Sequence, residues 1–268
     1  MPRTPRPELM ALLADVKQNP DDLTPWLVLC DWLEDRDDEA ERARGEYCRL
    51  CFDKLGQKTY ASDWEKGERR RHLYRMYHEA WLGPIAPFRP QVQKGLLTVQ
   101  CHELGTHHVE ALKADPEAWA WVGTLQMGLL RKRMMSNSSA LGWLVSGLHT
   151  FDAEIRNREV PTLASWDSLR QLRVLKIRLP SLNLYRSQCL IESPTLNGIR
   201  KLEIQCWQRE EASTSDWEIV DAENKLKEAF GDRLALTGSF SDGLYEGGEP
   251  GQRPDSPPSY NTEESRDR

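Results

Sequence analysis

One short stretch of the chain concentrates residues that bind metals or transfer protons. It runs from His102 to His108 in the order His-Glu-Leu-Gly-Thr-His-His and holds three of the six histidines. The zinc-binding pattern His-Glu-x-x-His places two histidines four positions apart, so that both face one metal from a helix. His102 and His107 are five positions apart, which separates them by about 140° around a helix. We therefore expect no metal and no cofactor, and we keep a metal-dependent hydrolase using His102, Glu103 and His107 or His108 as an alternative.

Two smaller groups of reactive side chains also have structural interpretations. Cys48 and Cys51 have the spacing of half a zinc site, but no second ligand pair stands at a usual distance. We interpret both as small residues of a helix, with Cys51 inward and Cys48 beside it. Asp31 lies in an otherwise apolar helix, where we expect it to pair with Arg44 or Arg49. Because no phosphate-binding glycine loop and no nucleophile elbow occurs, we predict that the protein is not an enzyme.

A basic cluster lies on a predicted helix over residues 64–81. A positive, aromatic surface of this kind can contact phosphates and stack bases. Glutamates at three and four positions from these arginines favour pairs within the helix, and the net charge of the chain is −6. We expect a solvated, salt-bridged helix, and nucleic-acid binding through it is the second alternative. The cluster comprises Arg69, Arg70, Arg71 and Arg75 with Tyr74 and Tyr77.

The elements that position these side chains follow from a repeat in the second half of the chain. Apolar-x-apolar triplets recur at spacings close to the leucine-rich-repeat period of about 20–29 residues. One short strand cannot bury an apolar face alone, so stacked units are expected to build a continuous core with a parallel sheet along one side. The triplets are Leu97-x-Val99, Leu125-x-Met127, Phe151-x-Ala153, Leu175-x-Ile177, Leu202-x-Ile204 and Leu234-x-Leu236.

The residues between the apolar positions of each triplet should point to the opposite, open side of the sheet. They are polar and of mixed charge, which suits a specific protein partner better than a membrane or DNA. We therefore predict a non-enzymatic interaction module that binds a protein through this strand face, the partner being unidentified. The predicted contact residues are the triplet centres Thr98, Gln126, Lys176 and Glu203, together with Gln100, Arg178 and Gln205 two positions after a centre.

The chain divides into four predicted regions. Residues 1–55 form a helical unit, in which Leu9, Leu13 and Val16 begin an apolar stripe and Thr24-Pro25 is a helix start. Residues 56–90 are a helical connector, and residues 91–238 are the irregular solenoid. Residues 239–268 carry seven acidic and three basic side chains among Gly, Pro and Ser, and are predicted to be a disordered tail. The predicted fold class is α/β, with the small helical unit packed on the solenoid.

Composition excludes several other classes of protein. No run of about 18 apolar residues exists in the 268-residue chain, so no membrane helix is expected. The amino-terminal residues have no apolar run of a secretory signal, and six cysteines are too few for a disulfide scaffold. A reducing cytoplasm is the expected compartment. Ten tryptophans are expected to fill space in the core, with Trp207 as the one most exposed.

The first fifty residues contain three motifs, namely Asn19-Pro20-Asp21-Asp22, Pro25 to Glu34, and Arg44-Gly45-Glu46-Tyr47-Cys48-Arg49-Leu50. Together they resemble the pattern of a known bacterial family, the repeat-companion domain. The chain departs from the family pattern at Trp26, at Leu29-Cys30 and at Cys48. The resemblance implies leucine-rich-like repeats after the domain and attaches no catalytic residues to it.

Overall fold

The computed structural model describes residues 4–52, 60–93, 95–102, 105–135, 140–207 and 216–238. Within these ranges, four helices precede a mostly parallel sheet whose strands alternate with shorter helices, which confirms the predicted α/β class. The helices are α1 (Pro7–Gln18), α2 (Leu23–Glu34), α3 (Glu39–Phe52), α4 (Tyr60–Leu82), α5 (Thr106–Ala114), α6 (Pro116–Ala120), α7 (Ala140–Ser146), α8 (Val160–Ala164), α9 (Leu184–Ile191) and α10 (Asp216–Phe230). The strands are β1 (Gln91–Gln93), β2 (Leu96–Cys101), β3 (Val122–Leu130), β4 (Thr150–Ile155), β5 (Val174–Leu179), β6 (Lys201–Cys206) and β7 (Leu234–Gly238).

The seven described strands lie side by side in the order of the sequence. Every pair from β2 to β7 is parallel, and β1 pairs antiparallel with β2 at one edge. Each of the six predicted triplets lies in a strand. The apolar side chains that open the last five triplets form one row across β3 to β7, namely Leu125, Phe151, Leu175, Leu202 and Leu234.

The first edge of the sheet departs from the prediction in two ways. Val99, and not Leu97, stands opposite Leu125, because the register shifts between Leu97 and Thr98. Strand β1 was not predicted, since its sequence Gln-Val-Gln contains a single apolar residue and carries little strand signal. The helical segment after β2 is divided in two, because Pro116 cannot continue α5 and Asp115 instead caps α6.

Local signals in the sequence account for the first two helices. Leu9, Leu13 and Val16 line the buried side of α1 as predicted. Helix α2 begins earlier than expected: Asp22 is its N-cap, and its carboxylate accepts the backbone N–H of Thr24 at 2.9 Å. The predicted cap at Thr24 was therefore wrong by two positions.

Helices α2 and α3 cross at very short range. A Cβ atom on Gly45 would lie 2.9 Å from the carbonyl oxygen of Cys30, so only glycine allows this approach. The cysteine arrangement is the reverse of the prediction, because Cys48 is fully buried beside α2 whereas Cys51 is half-buried. Burial raises the pKa of both thiols, which is typical of packing residues.

The helical unit lies along the amino-terminal ends of the parallel strands. Lys17 at the end of α1 donates to the carbonyl oxygen of Gly147, just before β4, at 2.7 Å. Arg200, just before β6, donates to the carbonyl oxygen of Gln18 at 3.3 Å. Apolar residues of α1, α2 and α3 belong to the same continuous core cluster as the sheet.

Helix α4 packs on α3 through a small second cluster formed by Ala43, Leu73 and Trp81. The indole of Trp81 donates to the carbonyl oxygen of Ala40 at 2.7 Å, which fixes the end of α4 against the start of α3. Among the described residues, no helix is both long enough and apolar enough to cross a membrane.

The tryptophans only partly follow the expectation that they fill the core. Five of them are buried, namely Trp26, Trp81, Trp119, Trp121 and Trp166. Trp207 is 43% exposed, as its position after a strand suggested, but Trp64 and Trp217 are more exposed, at 67% and 64%.

Candidate functional site

The predicted strand face is the open side of the sheet. Side chains in register on neighbouring strands share a face, and one such row runs through Gln100, Gln126, Asp152, Lys176 and Glu203. Their apolar neighbours in sequence point to the other side and are buried in the core. The register therefore brings together side chains that are more than a hundred residues apart in the chain.

The structure places the seven predicted residues on this side of the sheet, but it corrects one of them. Gln100 and Gln205 are exposed, and Gln126, Lys176, Arg178 and Glu203 are half-buried. Thr98 is 3% exposed, so it cannot serve as a contact residue. It lies at the edge of the sheet between Gln91 of β1 and Thr124 of β3, where neighbouring chain covers it.

Ion pairs across neighbouring strands hold the charged side chains of the face. Lys176 and Lys201 each place the ammonium nitrogen 2.7 Å from an oxygen of Glu203. Burial alone raises the pKa of Glu203, but the two ammonium groups outweigh this and lower its pKa below the ordinary value. Glu203 therefore stays ionised and bridges β5 and the start of its own strand β6.

A second group of contacts links β3, β4 and β5. The guanidinium of Arg178 binds the carboxylate of Asp152 at 3.1 Å and donates to the carbonyl oxygen of Met127 at 3.0 Å. The side-chain amide of Gln100 donates to that of Gln126 at 2.9 Å. These contacts fix the polar side chains in place, so the face presents a preformed pattern of charges.

The sequence-based prediction missed three charged residues of this face, namely Asp152, Glu154 and Lys201. Asp152 is the middle residue of the Phe151 triplet. The rule that placed the charged triplet centres Lys176 and Glu203 on the face therefore also applies to Asp152. Lys201 lies two residues before Glu203 in β6, and Glu154 lies two residues after Asp152 in β4, so alternation along each strand places both on this face.

The histidine stretch is divided by the fold. His102 is exposed after β2, whereas His107 and His108 lie in α5 with ring centroids 3.9 Å apart. The ring of His108 packs on Phe88 at 5.0 Å. In the part of the chain that the structure describes, no three His, Cys, Asp or Glu side chains are grouped to hold a metal ion. Glu103 lies outside the described residues, so the hydrolase alternative stays a hypothesis.

The arginine cluster does not share one face of α4. Arg69 binds Glu46 of α3 through two contacts of 2.6 and 2.8 Å. Arg71 pairs with Glu68 within the helix, as the sequence spacing predicts. Arg70, Arg71 and Arg75 line a separate groove of about 450 Å³ beside β1. Only three of the four arginines therefore line the same groove.

The remaining candidates have structural partners. Asp31 binds Arg49 at 2.5 Å, one of the two expected partners, and the same guanidinium contacts Glu34 at 3.0 Å. The other expected partner, Arg44, instead lines a cavity of about 240 Å³ between the amino-terminal helices, the end of α4 and α6. There its guanidinium stacks on the ring of Trp121 at 3.5 Å.

No family of known proteins, no curated protein and no solved structure matches this chain. The resemblance of its first fifty residues to the repeat-companion domain thus rests on the quoted motifs alone.

Proposed function

We propose that this chain is a non-enzymatic module that binds another protein through the open strand face of its sheet. The observation that carries the proposal is the row of polar side chains from Gln100 to Glu203, held in register on five neighbouring strands. A rigid polar surface of this size gives a partner many fixed donors and acceptors at little entropic cost.

The distribution of charge favours a protein partner. Positive Lys176, Lys201 and Arg178 alternate with negative Glu203 and Asp152, so the face has no strong field of one sign. Nucleic acids and anionic membranes select surfaces of uniformly positive charge. A mixed pattern instead matches a complementary mixed pattern on a folded protein.

Groups left without an internal partner provide the points of attachment. Gln205 is exposed on β6, and Glu154 of β4 is half-buried without an ion-pair partner among the described residues. Trp207 directly follows β6 and is 43% exposed. A protruding indole beside fixed polar groups is the composition that binding hot spots favour.

The compartment proposed for this module is a reducing one, the cytoplasm. The support is that no disulfide forms among the six cysteines, which are Cys30, Cys48, Cys51, Cys101, Cys189 and Cys206. The proposal that the module belongs with repeat-companion proteins of bacteria draws on the motif resemblance alone.

The test compares proteins captured from a lysate of the source cells by the wild type and by variants of the face. Lys176→Glu with Arg178→Glu reverses two charges and should abolish retention of a specific partner. Because this pair also breaks two internal ion pairs, Gln205→Trp provides a second variant that blocks the face while removing no internal contact. A partner identified by mass spectrometry is then titrated, as a purified protein, against each variant.

The matched control is Lys113→Glu with Lys132→Glu, which changes the net charge equally. Both lysines are exposed, lie outside the strand face and have no ion-pair partner in the described ranges. Retention of the same partner by the control but not by the face variants supports the proposal. Equal binding by wild type, face variants and control would overturn it.

A further inference from the structure

The groove between α4 and β1 carries an unbalanced positive charge. Its wall on one side is the α4 face with Arg70, Arg71 and Arg75, and its other wall is the start of β1 from Pro90 to Val92. As far as the structure describes the chain, no lining residue carries a carboxylate. This is unusual for a protein of net charge −6 and indicates a site for an anionic ligand.

The three arginines keep much of their binding capacity. Arg75 is exposed and has no ion-pair partner among the described residues. Arg71 is paired only with Glu68, an exposed neighbour on its own helix, and such pairs contribute little. The Nε atom of Arg70 is buried without a hydrogen-bond acceptor in the described structure. A carboxylate entering the groove would supply acceptors to the exposed guanidinium groups of Arg71 and Arg75.

The opposite side of α4 shows what a balanced surface of this protein looks like. A groove there contains Arg42, Arg49 and Arg69, but also three glutamates. Arg69 and Arg49 are each bound to one of these glutamates, Glu46 and Glu34. The excess of positive charge is thus confined to the side that faces β1.

We propose that the acidic segment of this same chain, residues 239–268, docks in the groove between α4 and β1. The segment carries seven carboxylates and three arginines, so its net charge is negative. The groove carries three arginines and no carboxylate among its described lining residues, so the two charges are complementary. Carboxylate–guanidinium contacts are charge-assisted and can be bidentate. The proposal is independent of the protein-binding role of the strand face.

The segment is long enough to reach the groove. It follows β7 at one edge of the sheet, and β1 lies at the other edge. Six strand spacings of about 4.8 Å separate these edges by roughly 29 Å. An extended chain covers this distance in about ten residues, so the segment from Glu249 onward can reach the groove. Tethering provides an effective concentration in the millimolar range, which compensates for weak individual contacts.

The aromatic residues of the groove favour a polypeptide over a nucleic acid. Tyr47 packs against Tyr74 at 6.3 Å and against Trp81 at 5.4 Å. Tyr74 also stacks on His78 at 5.6 Å. Sequence-independent binding of single-stranded nucleic acid requires aromatic faces on which bases can stack. These rings pack on one another, so few of their faces remain free for bases.

The test is photo-crosslinking within the full-length chain, with Tyr260 replaced by a benzoyl-phenylalanine. Cross-links are expected to peptides containing residues 67–75 or 90–92, with a yield that does not depend on protein concentration. Replacing Glu249, Asp255, Glu263 and Glu264 by their amides should lower the yield several-fold. High salt should do the same, because the Debye length shortens from about 10 Å at 0.1 M to about 3 Å at 1 M.

The groove variant is R70Q/R71Q/R75Q, and it should lose the cross-links. Its matched control, R131Q/K132Q/R133Q, removes three exposed positive charges elsewhere and should keep them. Since Arg70 is partly buried, R71Q/R75Q serves as a second variant that leaves the floor of the groove intact. Melting temperatures confirm that each variant is folded.

Several results would overturn the proposal. These are cross-links to another region, cross-links between two copies that disappear on dilution, and cross-links that persist in both groove variants. Tight binding of a fluorescent oligothymidylate by the full-length chain, abolished by R71Q/R75Q, would show that the groove holds a phosphodiester strand in place of the acidic segment.

Discussion

Arg44 joins three parts of the molecule through one planar side chain. Its guanidinium lies 3.5 Å from the centroid of the Trp121 ring and donates to the carbonyl oxygen of Trp81 at 3.2 Å. Burial lowers its pKa to about 9, so the stacking and the hydrogen bond must offset a cost of desolvation. Lysine carries the same charge but lacks the flat shape that stacks on an indole.

We therefore expect Arg44→Lys to reduce the free energy of unfolding by about 1–2 kcal/mol, since an ammonium group keeps the charge but loses the stacking. Urea denaturation measures the change. Arg170→Lys is the control, because Arg170 is exposed and pairs only with Asp167 on its own turn. Equal stability of the two variants would contradict the structural role of Arg44.

Gly95 is needed where the chain enters β2. Its φ of +84° lies in the region that glycine favours, and a Cβ atom there would lie 2.8 Å from the Trp26 ring. Gly95→Ala should therefore lower the free energy of unfolding by about 2–4 kcal/mol, through backbone strain and overpacking together. Gly198→Ala is the control, since its nearest neighbour is 4.0 Å away. Thermal unfolding of the pair distinguishes this cost from a general effect of alanine.

The strands were predictable because each buries a simple alternating pattern. Leu175-x-Ile177 and Leu202-x-Ile204 fall in strands and align in register as the repeat implies. Strand β1 has no such pattern, because it borders only one neighbour and covers an edge. The register shift between Leu97 and Thr98 lies where β2 also pairs with β1, and no local signal encodes it.

The candidate face was predictable in position but not in its contacts. Alternation indicated that Lys176 and Arg178 point outward. Their partners Glu203 and Asp152 lie on neighbouring strands 26 or 27 residues away, so the pairing depends on the register. The burial of Thr98 could not be foreseen either, since it depends on a strand that the sequence does not reveal.

The contact between α1 and the sheet should respond to pH. Burial lowers the pKa of Lys17 to about 7, where its ammonium donates to the carbonyl oxygen of Gly147. Asp21, His149, Arg173 and Arg200 are the charged groups near this contact, and burial also lowers the pKa of His149. Both shifts mean that the unfolded chain holds more protons than the folded one.

Stability should therefore rise with pH from about 6 to about 8.5, because the folded state releases protons that the unfolded state retains. The rise in stability ends at about pH 8.5, where the Cys30 thiol ionises in the unfolded chain. Burial raises the pKa of Cys30 in the folded chain to about 12, so above that pH unfolding releases a proton and higher pH favours the unfolded chain. Urea midpoints across this range test the slope. Lys17→Met should flatten it between pH 7 and 8.5, whereas Lys113→Met, at an exposed position, should leave it unchanged. A slope that is the same in both variants would contradict the assignment to Lys17.

The helical unit and the sheet share one core, so the molecule should behave as one cooperative body. Residues of α1 and α2 belong to the same apolar cluster as strands up to β6. Arg6 reinforces this junction: its backbone N–H and its guanidinium all bind the carboxylate of Glu117, at distances from 2.5 to 3.2 Å. Glu117 is 5% exposed, so its removal leaves a half-buried cation without its main partner.

Glu117→Ala should consequently lower the stability of the whole molecule by about 3 kcal/mol, in the range typical of breaking a buried ion pair. Hydrogen exchange monitors this change separately in peptides of α2, which lies in the helical unit, and of β5, which lies in the middle of the sheet. If the core is shared, protection must fall by the same free energy in both, because both open in one transition. Asp167→Ala is the control, since Asp167 is exposed and its pair with Arg170 is local. A loss confined to α2 would show instead that the helical unit opens alone and that its contacts with the sheet edge do not couple the two parts.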